Sequence, residues 1–398
     1  MPKISQRFIL LLTALLTGCS RHNFPDAPPD FREFAYVANA GANTVSVLDL
    51  VYLRPDRTLK VGETPIALAI NPVRNEVYAV NRGSGSISVI DAARNQIVAT
   101  VPVRRQPTAI AIAPDGRRAF IANAGANSVS IVDLDSRREL ATVSSGNVPV
   151  ALALAPDARS LVVANRASGS VSVFAVAPTS PGPSPRPLDL RTTVPGCPGA
   201  SAVTILPDSS KAFVACSAAH QVMAISLAAA PSSWALRQNA SLASDHILTL
   251  LDVGANPSAL ALKPDGGEIF VSNAGSDSIS EIATWPNEVG GTYTVASHPA
   301  QALASADNST LWIANQAADT VGIYSIDDGR LTGSVRTGSA PIALAFSADE
   351  HLLLAANARS GDVAVIRTDS KQGPALFTML PAGNTPTAIV TKSFTTKH

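Results

Sequence analysis

The chain has 398 residues, carries no net charge at pH 7 and contains 15% charged residues, which excludes a basic footprint for nucleic acid and an acidic tail. Aromatic residues make up 5% of the chain, so few stacking platforms for sugars or bases exist. The hydrophobic content of 46% is enough for a large core. No apolar run after Cys19 approaches the length of a membrane span.

The N-terminal segment has the pattern of an export signal. Lys3 and Arg7 form a short basic region, and the apolar run at residues 8–16 is too short to span a bilayer as a helix. The run ends in the tetrapeptide LTGC, whose last residue is Cys19. This tetrapeptide resembles the lipobox of bacterial lipoproteins, in which the signal is cut before the Cys and the new N-terminal Cys carries lipid. An ordinary signal peptide that contains a Cys is the alternative.

The resemblance implies that Cys19 is lipidated and that the exported protein is anchored to a membrane of the bacterial cell envelope. Ser20 follows the Cys, whereas enteric lipoproteins kept in the inner membrane tend to have Asp there. This favours the outer membrane, facing the periplasm, with the cell surface as a second location. Three prolines and few apolar residues after Ser20 predict an extended tether. We therefore expect a signal peptide at residues 1–18 and a lipidated Cys with its tether at residues 19–33.

From residue 34 onwards the chain repeats a unit of two short strands joined by a polar turn. One copy, EVYAVNRGSGSISVIDA, begins at Glu76, and most copies are 42 residues apart. A repeat of this length with several short strands predicts a β-propeller. An Asn ends the first strand in seven copies, and Cys216 takes its place in another. The seven are Asn39, Asn81, Asn123, Asn165, Asn273, Asn315 and Asn357.

A second landmark lies upstream of most of these turns. Prolines open Ala-rich strands such as PIALAI and PTAIAI, whose alternation has the period of two that is typical of strands. Small residues suit the innermost strand of a propeller blade, because blades crowd together toward the axis. Two further strands complete a four-stranded antiparallel unit. The prolines are Pro65, Pro107, Pro149, Pro198, Pro257, Pro299, Pro341 and Pro386.

The two ends of the chain complement each other. The first Asn unit has no Pro-led strand before it, and the last Pro-led strand, residues 387–394, has no Asn unit after it. Pairing the C-terminal strand with the first blade balances the count and removes open sheet edges. The sequence therefore predicts one all-β domain at residues 34–394, a propeller of eight blades with seven as the alternative, and a tail at residues 395–398.

The units resemble the YVTN β-propeller repeats of bacterial secreted and surface proteins, named for a Tyr-Val-Thr-Asn strand. Here that strand is YVAN, ending at Asn39, and the resemblance covers nearly all of residues 34–394. It implies a member of the superfamily of lactonase and surface-layer propellers, in which seven blades are more common than eight.

Candidate sites follow from the repeat. We interpret the asparagines as structural, each bonding backbone groups of its own turn and of the neighbouring Pro loop, with a ring of ligand-binding amides as the alternative. The same face carries cationic side chains, which predict either a mixed-charge surface or an anion-binding channel mouth. These are Arg82, Arg166, Arg359, His220 and His298.

Enzyme signatures such as HxxxH, GxSxG and CxxC are missing from the sequence, and we expect neither a metal nor a cofactor. The favoured function is a monomeric, non-catalytic, lipid-anchored propeller that binds or scaffolds a protein or other ligand in the envelope, without nucleic acid. The alternative is a periplasmic hydrolase or lactonase-like enzyme with its site at the channel mouth.

The remaining cysteines are Cys197 and Cys216. Cys197 lies just before the innermost strand of the fifth blade, and Cys216 ends the next strand. The turn at residues 207–210 folds these strands antiparallel, so both cysteines lie at one rim in an exported chain. The sequence predicts a disulfide between them, with two buried free thiols as the alternative.

Overall fold

The computed structural model describes residue 28 and residues 30–178, 187–228, 244–369 and 372–396. These residues form 32 strands, arranged as eight four-stranded antiparallel sheets. Nothing helical in this part of the chain reaches the length and apolarity of a membrane-spanning segment. The predicted signal peptide, Cys19 and most of the predicted tether lie outside the described residues.

Each sheet is one blade, and its strands are ordered from the propeller axis outward. The innermost strands are β32 (Pro386–Thr395), β4 (Pro65–Ile70), β8 (Pro107–Ile112), β12 (Pro149–Leu154), β16 (Ala200–Ile205), β20 (Pro257–Leu262), β24 (Pro299–Ala304) and β28 (Pro341–Phe346). The second strands are β1 (Phe31–Asn39), β5 (Glu76–Asn81), β9 (Arg118–Asn123), β13 (Ser160–Asn165), β17 (Lys211–Cys216), β21 (Glu268–Asn273), β25 (Thr310–Asn315) and β29 (Leu352–Asn357).

The two outer positions follow the same order around the ring. The third strands are β2 (Thr44–Asp49), β6 (Ser86–Asp91), β10 (Ser128–Asp133), β14 (Ser170–Val176), β18 (Gln221–Ser226), β22 (Ser278–Ala283), β26 (Thr320–Ser325) and β30 (Asp362–Arg367). The outermost strands are β3 (Arg54–Lys60), β7 (Gln96–Pro102), β11 (Arg138–Ser144), β15 (Leu188–Pro195), β19 (His246–Asp252), β23 (Glu288–Thr294), β27 (Arg330–Arg336) and β31 (Ala375–Pro381).

The ring closes through the C-terminal strand. β32 pairs with β1 antiparallel from Phe31 opposite Thr395 to Asn39 opposite Pro386, so blade 1 contains both ends of the domain. Eight blades and this closure are as the sequence predicted. The strands extend past the predicted bounds of 34 and 394, because the residues from Phe31 belong to β1 rather than to the tether.

Packing between neighbouring blades buries the second and third strands. In blade 1, for example, Ala35 and Val37 pack with Leu354 and Val365 of blade 8, and all four side chains are fully buried. The hydrophobic core is therefore divided among the interfaces between blades, where alanine and β-branched side chains pack together with buried aromatic residues such as Tyr36 and Phe120.

Strand direction defines two faces. Innermost strands begin where second strands end, as shown by Pro65 opposite Asn81, and third strands begin there too. We call this side the Asn-turn face. It carries the turns after the asparagines and the connections between blades. Each connection runs from the outermost strand of one blade to the innermost strand of the next, and we name it by the strand that it precedes. The opposite face carries the remaining turns. The chain enters the propeller on the opposite face, because β1 runs from Phe31 to Asn39.

Candidate functional site

The seven repeat asparagines end second strands at the Asn-turn face, and each is fully buried. In five blades the asparagine Nδ2 donates to a serine hydroxyl seven residues later, in the third strand, over 2.8–3.0 Å. The shared partner is thus a side-chain hydroxyl, whereas the sequence predicts backbone groups. Asn123 also donates to the backbone carbonyls of Ile121 and Ser128, over 3.3 and 3.4 Å. The five pairs are Asn39–Ser46, Asn81–Ser88, Asn123–Ser130, Asn165–Ser172 and Asn273–Ser280.

The other two asparagines lack this serine. With its amide oriented for hydrogen bonding, Asn315 has its nitrogen 3.2 Å from the carbonyl oxygen of Ala296 and its oxygen 3.3 Å from the N–H of Gly322. Asn357 donates to the carboxylate of Asp362 over 2.8 Å. Because all seven side chains are buried within the fold, they do not form an open ring around a ligand.

A glycine of the connection packs against the asparagine in several blades. A Cβ added to Gly62 would lie 2.8 Å from the Cβ of Asn81, closer than real side chains approach. Gly146, Gly254, Gly338 and Gly383 make the same approach to the asparagines of their own blades. The connection before β8 departs from this pattern, because Arg104 stands in the place of the glycine, as Ala296 does before β24.

Both predicted histidines belong to the hydrogen bonds of these connections. The residue before the proline has positive φ, and His298 occupies this place with φ of 57°. Its N–H donates to Asp277 over 2.8 Å. His220 is a turn residue whose Nδ1 accepts the N–H of Asn256 over 3.0 Å. Both rings are exposed. The His220 ring takes part in the fold through this bond, whereas His298 contributes its backbone N–H and its ring has no partner among the described residues.

The predicted arginines lie on the same face but on blades that are not adjacent. Arg82, Arg166 and Arg359 follow the asparagines of blades 2, 4 and 8, and all three are exposed. Their guanidinium groups make no hydrogen bond or ion pair within the described part of the chain. Arg105, a further cation that the sequence places on this face, is a fourth exposed and unpaired guanidinium by the same criterion.

The carboxylates of this face are mostly engaged in its turns. Asp277 accepts the N–H of His298, and Asp319 accepts the N–H of Ala340 over 2.8 Å. Glu63 is the exception, since its carboxylate has no partner among the described residues. The charged side chains of the Asn-turn face that have no partner among the described residues are therefore mostly arginines.

A cleft of about 400 Å³ opens on this face between blades 2 and 3. Its walls are residues of two Asn turns and of the connection before β8, and Arg105 is the charged residue among them. The lining residues are Gly83, Ser84, Gly85, Val103, Arg105, Gln106 and Gly125.

Blade 5 uses a different contact between its connection and its second strand. Ala200, not Pro198, opens β16 and pairs with Cys216, so Pro198 lies in the connection. Cys197 consequently occupies the place of the packing glycine, and Cys216 that of the asparagine. The structure joins them in a disulfide, with both side chains fully buried. Gly199, with φ of 70°, provides the bend that brings Cys197 over the strand.

Within the described ranges, no group of three or more His, Cys, Asp or Glu side chains is arranged to hold a metal ion.

Comparison with known families gives one match. The model described as "Lactonase, 7-bladed beta-propeller" matches residues 92–197 and 279–389, which is more than half of the chain. No curated protein matches the sequence.

Several solved structures share the fold. Dihydro-heme d1 dehydrogenase NirN in complex with DHE is 15% identical, with a TM-score of 0.71 over 96% of this chain and 78% of that one. A "putative 6-phosphogluconolactonase" from Bacteroides uniformis is 16% identical, with a TM-score of 0.61 over 91% and 100%. Hydrazine synthase from Kuenenia stuttgartiensis is 20% identical, with a TM-score of 0.57 over 76% and 95%. At these identities the likeness concerns the fold alone.

Proposed function

Because the chain belongs to the seven-bladed lactonase family of β-propellers, here with eight blades, we propose that it is a non-catalytic binding or scaffold module of the bacterial cell envelope, held there by lipid on Cys19. Its ligand would be a protein or another envelope component. The family match supplies the propeller; the anchor and the binding role are our inference from the sequence and the geometry.

The observation that carries the proposal is the point where the chain enters the propeller. β1 begins at Phe31 on the opposite face. Even fully extended, the stretch between Cys19 and Phe31 reaches about 40 Å at most. A lipid on Cys19 would therefore hold the opposite face toward the membrane and turn the Asn-turn face toward the periplasm, where a partner can reach it.

The chemistry of the Asn-turn face also supports binding. His220 and most of its carboxylates take part in the hydrogen bonds of the fold, whereas Arg82, Arg105, Arg166 and Arg359 have no partner among the described residues. Hydrolysis needs an acid–base pair within reach of a pocket. Recognition of an anionic surface needs only accessible cations, which this face provides.

The anchor is tested by cell fractionation. The native protein should sediment with membranes, resist extraction by salt and dissolve in detergent, and mass spectrometry should find lipid on Cys19. A Cys19→Ala variant should appear as a soluble or uncleaved form. Normal processing and membrane retention of the Cys19→Ala variant would contradict the anchor.

The binding role is tested by photo-crosslinking in intact cells. A benzophenone amino acid replaces Arg82 on the Asn-turn face or, as the matched control, Ala93, an exposed turn residue on the opposite face. We expect a discrete crosslinked product from position 82 and none from position 93. The reverse result would place the partner on the other face.

The family name favours a second candidate, a lactonase-like hydrolase with its site at the channel mouth. Its test is hydrolysis of 6-phosphogluconolactone by the purified protein. Turnover that is lost in His298→Ala and Arg105→Gln variants would replace the binding proposal with this one.

A further inference from the structure

The connections between blades share a pair of hydrogen bonds from successive backbone N–H groups. Before β4, the N–H of Thr64 donates to Asn43 Oδ1 over 2.8 Å, and the N–H of Glu63 donates to Ser84 Oγ over 3.1 Å. The acceptors come from the turns of the two blades that the connection joins. The same two bonds recur before β12, β20 and β28.

The connection before β8 lacks both acceptors. Gly85 stands in the place of Asn43, and Ala126 stands in the place of Ser84. The N–H groups of Arg105 and Gln106 consequently donate to no group in the described part of the chain. The backbone of Gln106 adopts the left-handed conformation, with φ of 50°. Successive N–H groups around such a residue form a concave nest that accepts anions.

Positive charge accompanies these two N–H groups. The exposed Arg105 guanidinium has no partner among the described residues, and both Arg105 and Gln106 line the cleft of about 400 Å³. No lining residue is acidic. Arg104, by contrast, is engaged, since it donates to Thr142 over 3.0 Å and lies 3.3 Å from Glu139.

We propose that this cleft binds an oxyanion, the carboxylate or phosphate group of a ligand, through the N–H groups of Arg105 and Gln106 and the Arg105 guanidinium. Charge-assisted hydrogen bonds of this kind are about twice as strong as neutral ones. The inference rests on the proposed function, because it assigns ligand chemistry to the face that we assign to binding.

Two other connections also lack this pair of hydrogen bonds, but they do not combine two free N–H groups with a positive charge. Before β32, Gly361 and Ala42 also remove both acceptors, but Asn384 and Thr385 follow there, and neither carries charge. Before β16, Pro198 has no N–H at the first of the two places, and the disulfide fixes the loop. Free N–H groups and an unpaired guanidinium thus coincide in the connection before β8.

Titration of the detergent-solubilised full-length protein with inorganic phosphate or acetate tests the proposal. NMR with ¹⁵N-labelled arginine and glutamine should show saturable shifts of the Arg105 and Gln106 amides. Arg105→Gln should weaken the affinity about tenfold or more, as loss of a charge-assisted bond implies. Ala126→Ser restores the missing hydroxyl, keeps every charge and should also weaken binding.

The matched control is Arg166→Gln, which removes an exposed, unpaired arginine of the same face beside a fully bonded connection. Its affinity should equal that of the native protein. Comparing phosphate with acetate identifies the preferred oxyanion. Absence of saturable shifts with either anion, or native affinity in both Arg105→Gln and Ala126→Ser, would overturn the proposal. Because purified protein suffices, this result is independent of the anchor and of the crosslinked partner.

Discussion

The Asn-turn face and the opposite face both join each blade to the next, but they use different groups. On the Asn-turn face two contacts recur in several blades. A glycine of the connection packs against the buried asparagine, and a serine hydroxyl accepts a backbone N–H of the connection. On the opposite face a backbone N–H of one blade donates to a side chain of the next, but the acceptor differs from blade to blade. A backbone N–H donates to a carboxylate at Glu33 and Glu350, but to a hydroxyl at Ser209.

The two faces differ in how far their contacts can depend on pH. The repeated amides, hydroxyls and glycines of the Asn-turn face do not titrate in the ordinary pH range, so the contacts they make with one another are insensitive to pH. In some connections of that face the acceptor is instead an ionisable side chain, as at His220, Asp277 and Asp319. The opposite face buries ionisable groups. Burial raises the pKa of Glu33 and lowers that of Lys392, whose Nζ donates to the carbonyl of Asn71 over 2.9 Å. Variants that break one face at a time should separate the two kinds of contact.

Removing β32 breaks both faces at once and should have the largest effect. Thr387 of this strand donates to Pro65 on the Asn-turn face, and Lys392 donates to Asn71 on the opposite face. A chain ending at Pro381 should lose more than about 4 kcal/mol and aggregate, because β1 becomes an open edge. Thermal unfolding and size-exclusion chromatography measure this. A chain ending at Thr396 is the control, and a truncated protein that melts like the native one would refute the closure.

The disulfide of blade 5 should come next. Reduction of the Cys197–Cys216 bond should cost about 3 kcal/mol in denaturant unfolding, by the entropy of the loop it closes. Thiol titration of the denatured, unreduced protein should find neither cysteine reactive. Because these residues occupy the glycine and asparagine places of the repeat, the double variant Cys197→Gly/Cys216→Asn should recover part of the loss. If this titration found both Cys197 and Cys216 reactive, the disulfide would be excluded.

A methyl group at the repeated contact should cost less. In Gly62→Ala the new Cβ would meet Asn81 at 2.8 Å, so the connection must shift. We expect a loss of about 1–3 kcal/mol, as for overpacking of a core. Gly333→Ala is the control, since its Cβ would have an ordinary contact of 3.6 Å with Ile323. Equal unfolding free energies of the two variants would argue against the tight approach.

The smallest effect should come from Glu33→Gln on the opposite face. Burial raises the pKa of Glu33, and the hydrogen bond from the Ala348 N–H only partly offsets this effect. The carboxyl group therefore loses its proton at lower pH in the unfolded chain than in the folded protein. The stabilising contribution is present below the unfolded pKa of 4.5 and is lost as pH rises through the folded pKa. Glutamine keeps the acceptor without ionising.

We therefore expect Glu33→Gln to raise Tm by about 2–4 °C at most near pH 8 and to leave it unchanged near pH 4. Melting curves across this range measure it. Glu350→Gln is the control, because Glu350 also accepts a backbone N–H, that of Ala306, from the blade before it. A Glu33→Gln variant that is destabilised at pH 8 would show that the charge itself stabilises the fold.

The repeated contacts explain why the fold could be predicted from the sequence. A buried asparagine at the end of each second strand fixes the spacing, and Asn81 and Asn315 end β5 and β25 as predicted. Where the repeat changes, prediction failed. Pro198 does not open β16, because the cysteine contact places Ala200 in that position.

The candidate anion site was less accessible to sequence reasoning. The acceptors missing at Arg105 and Gln106 would belong to turns of two different blades, at Gly85 and Ala126. Their absence matters only because the connection before β8, in which Gln106 has positive φ, brings Arg105 and Gln106 next to both of these turns. Such a relation depends on the conformation of loops, which residue patterns specify less directly than strand alternation does.

The pairing of β1 with β32 has a consequence for the order of folding. The strand that completes the first blade is the last part of the domain to leave the ribosome, and it pairs with the first strand across most of the chain. Contacts of such long sequence separation form slowly. A nascent chain would therefore hold an unfinished ring until its synthesis is nearly complete. For a protein exported as we propose, this delay would keep the chain threadable through a secretion channel, and the ring would close only on the far side of the membrane.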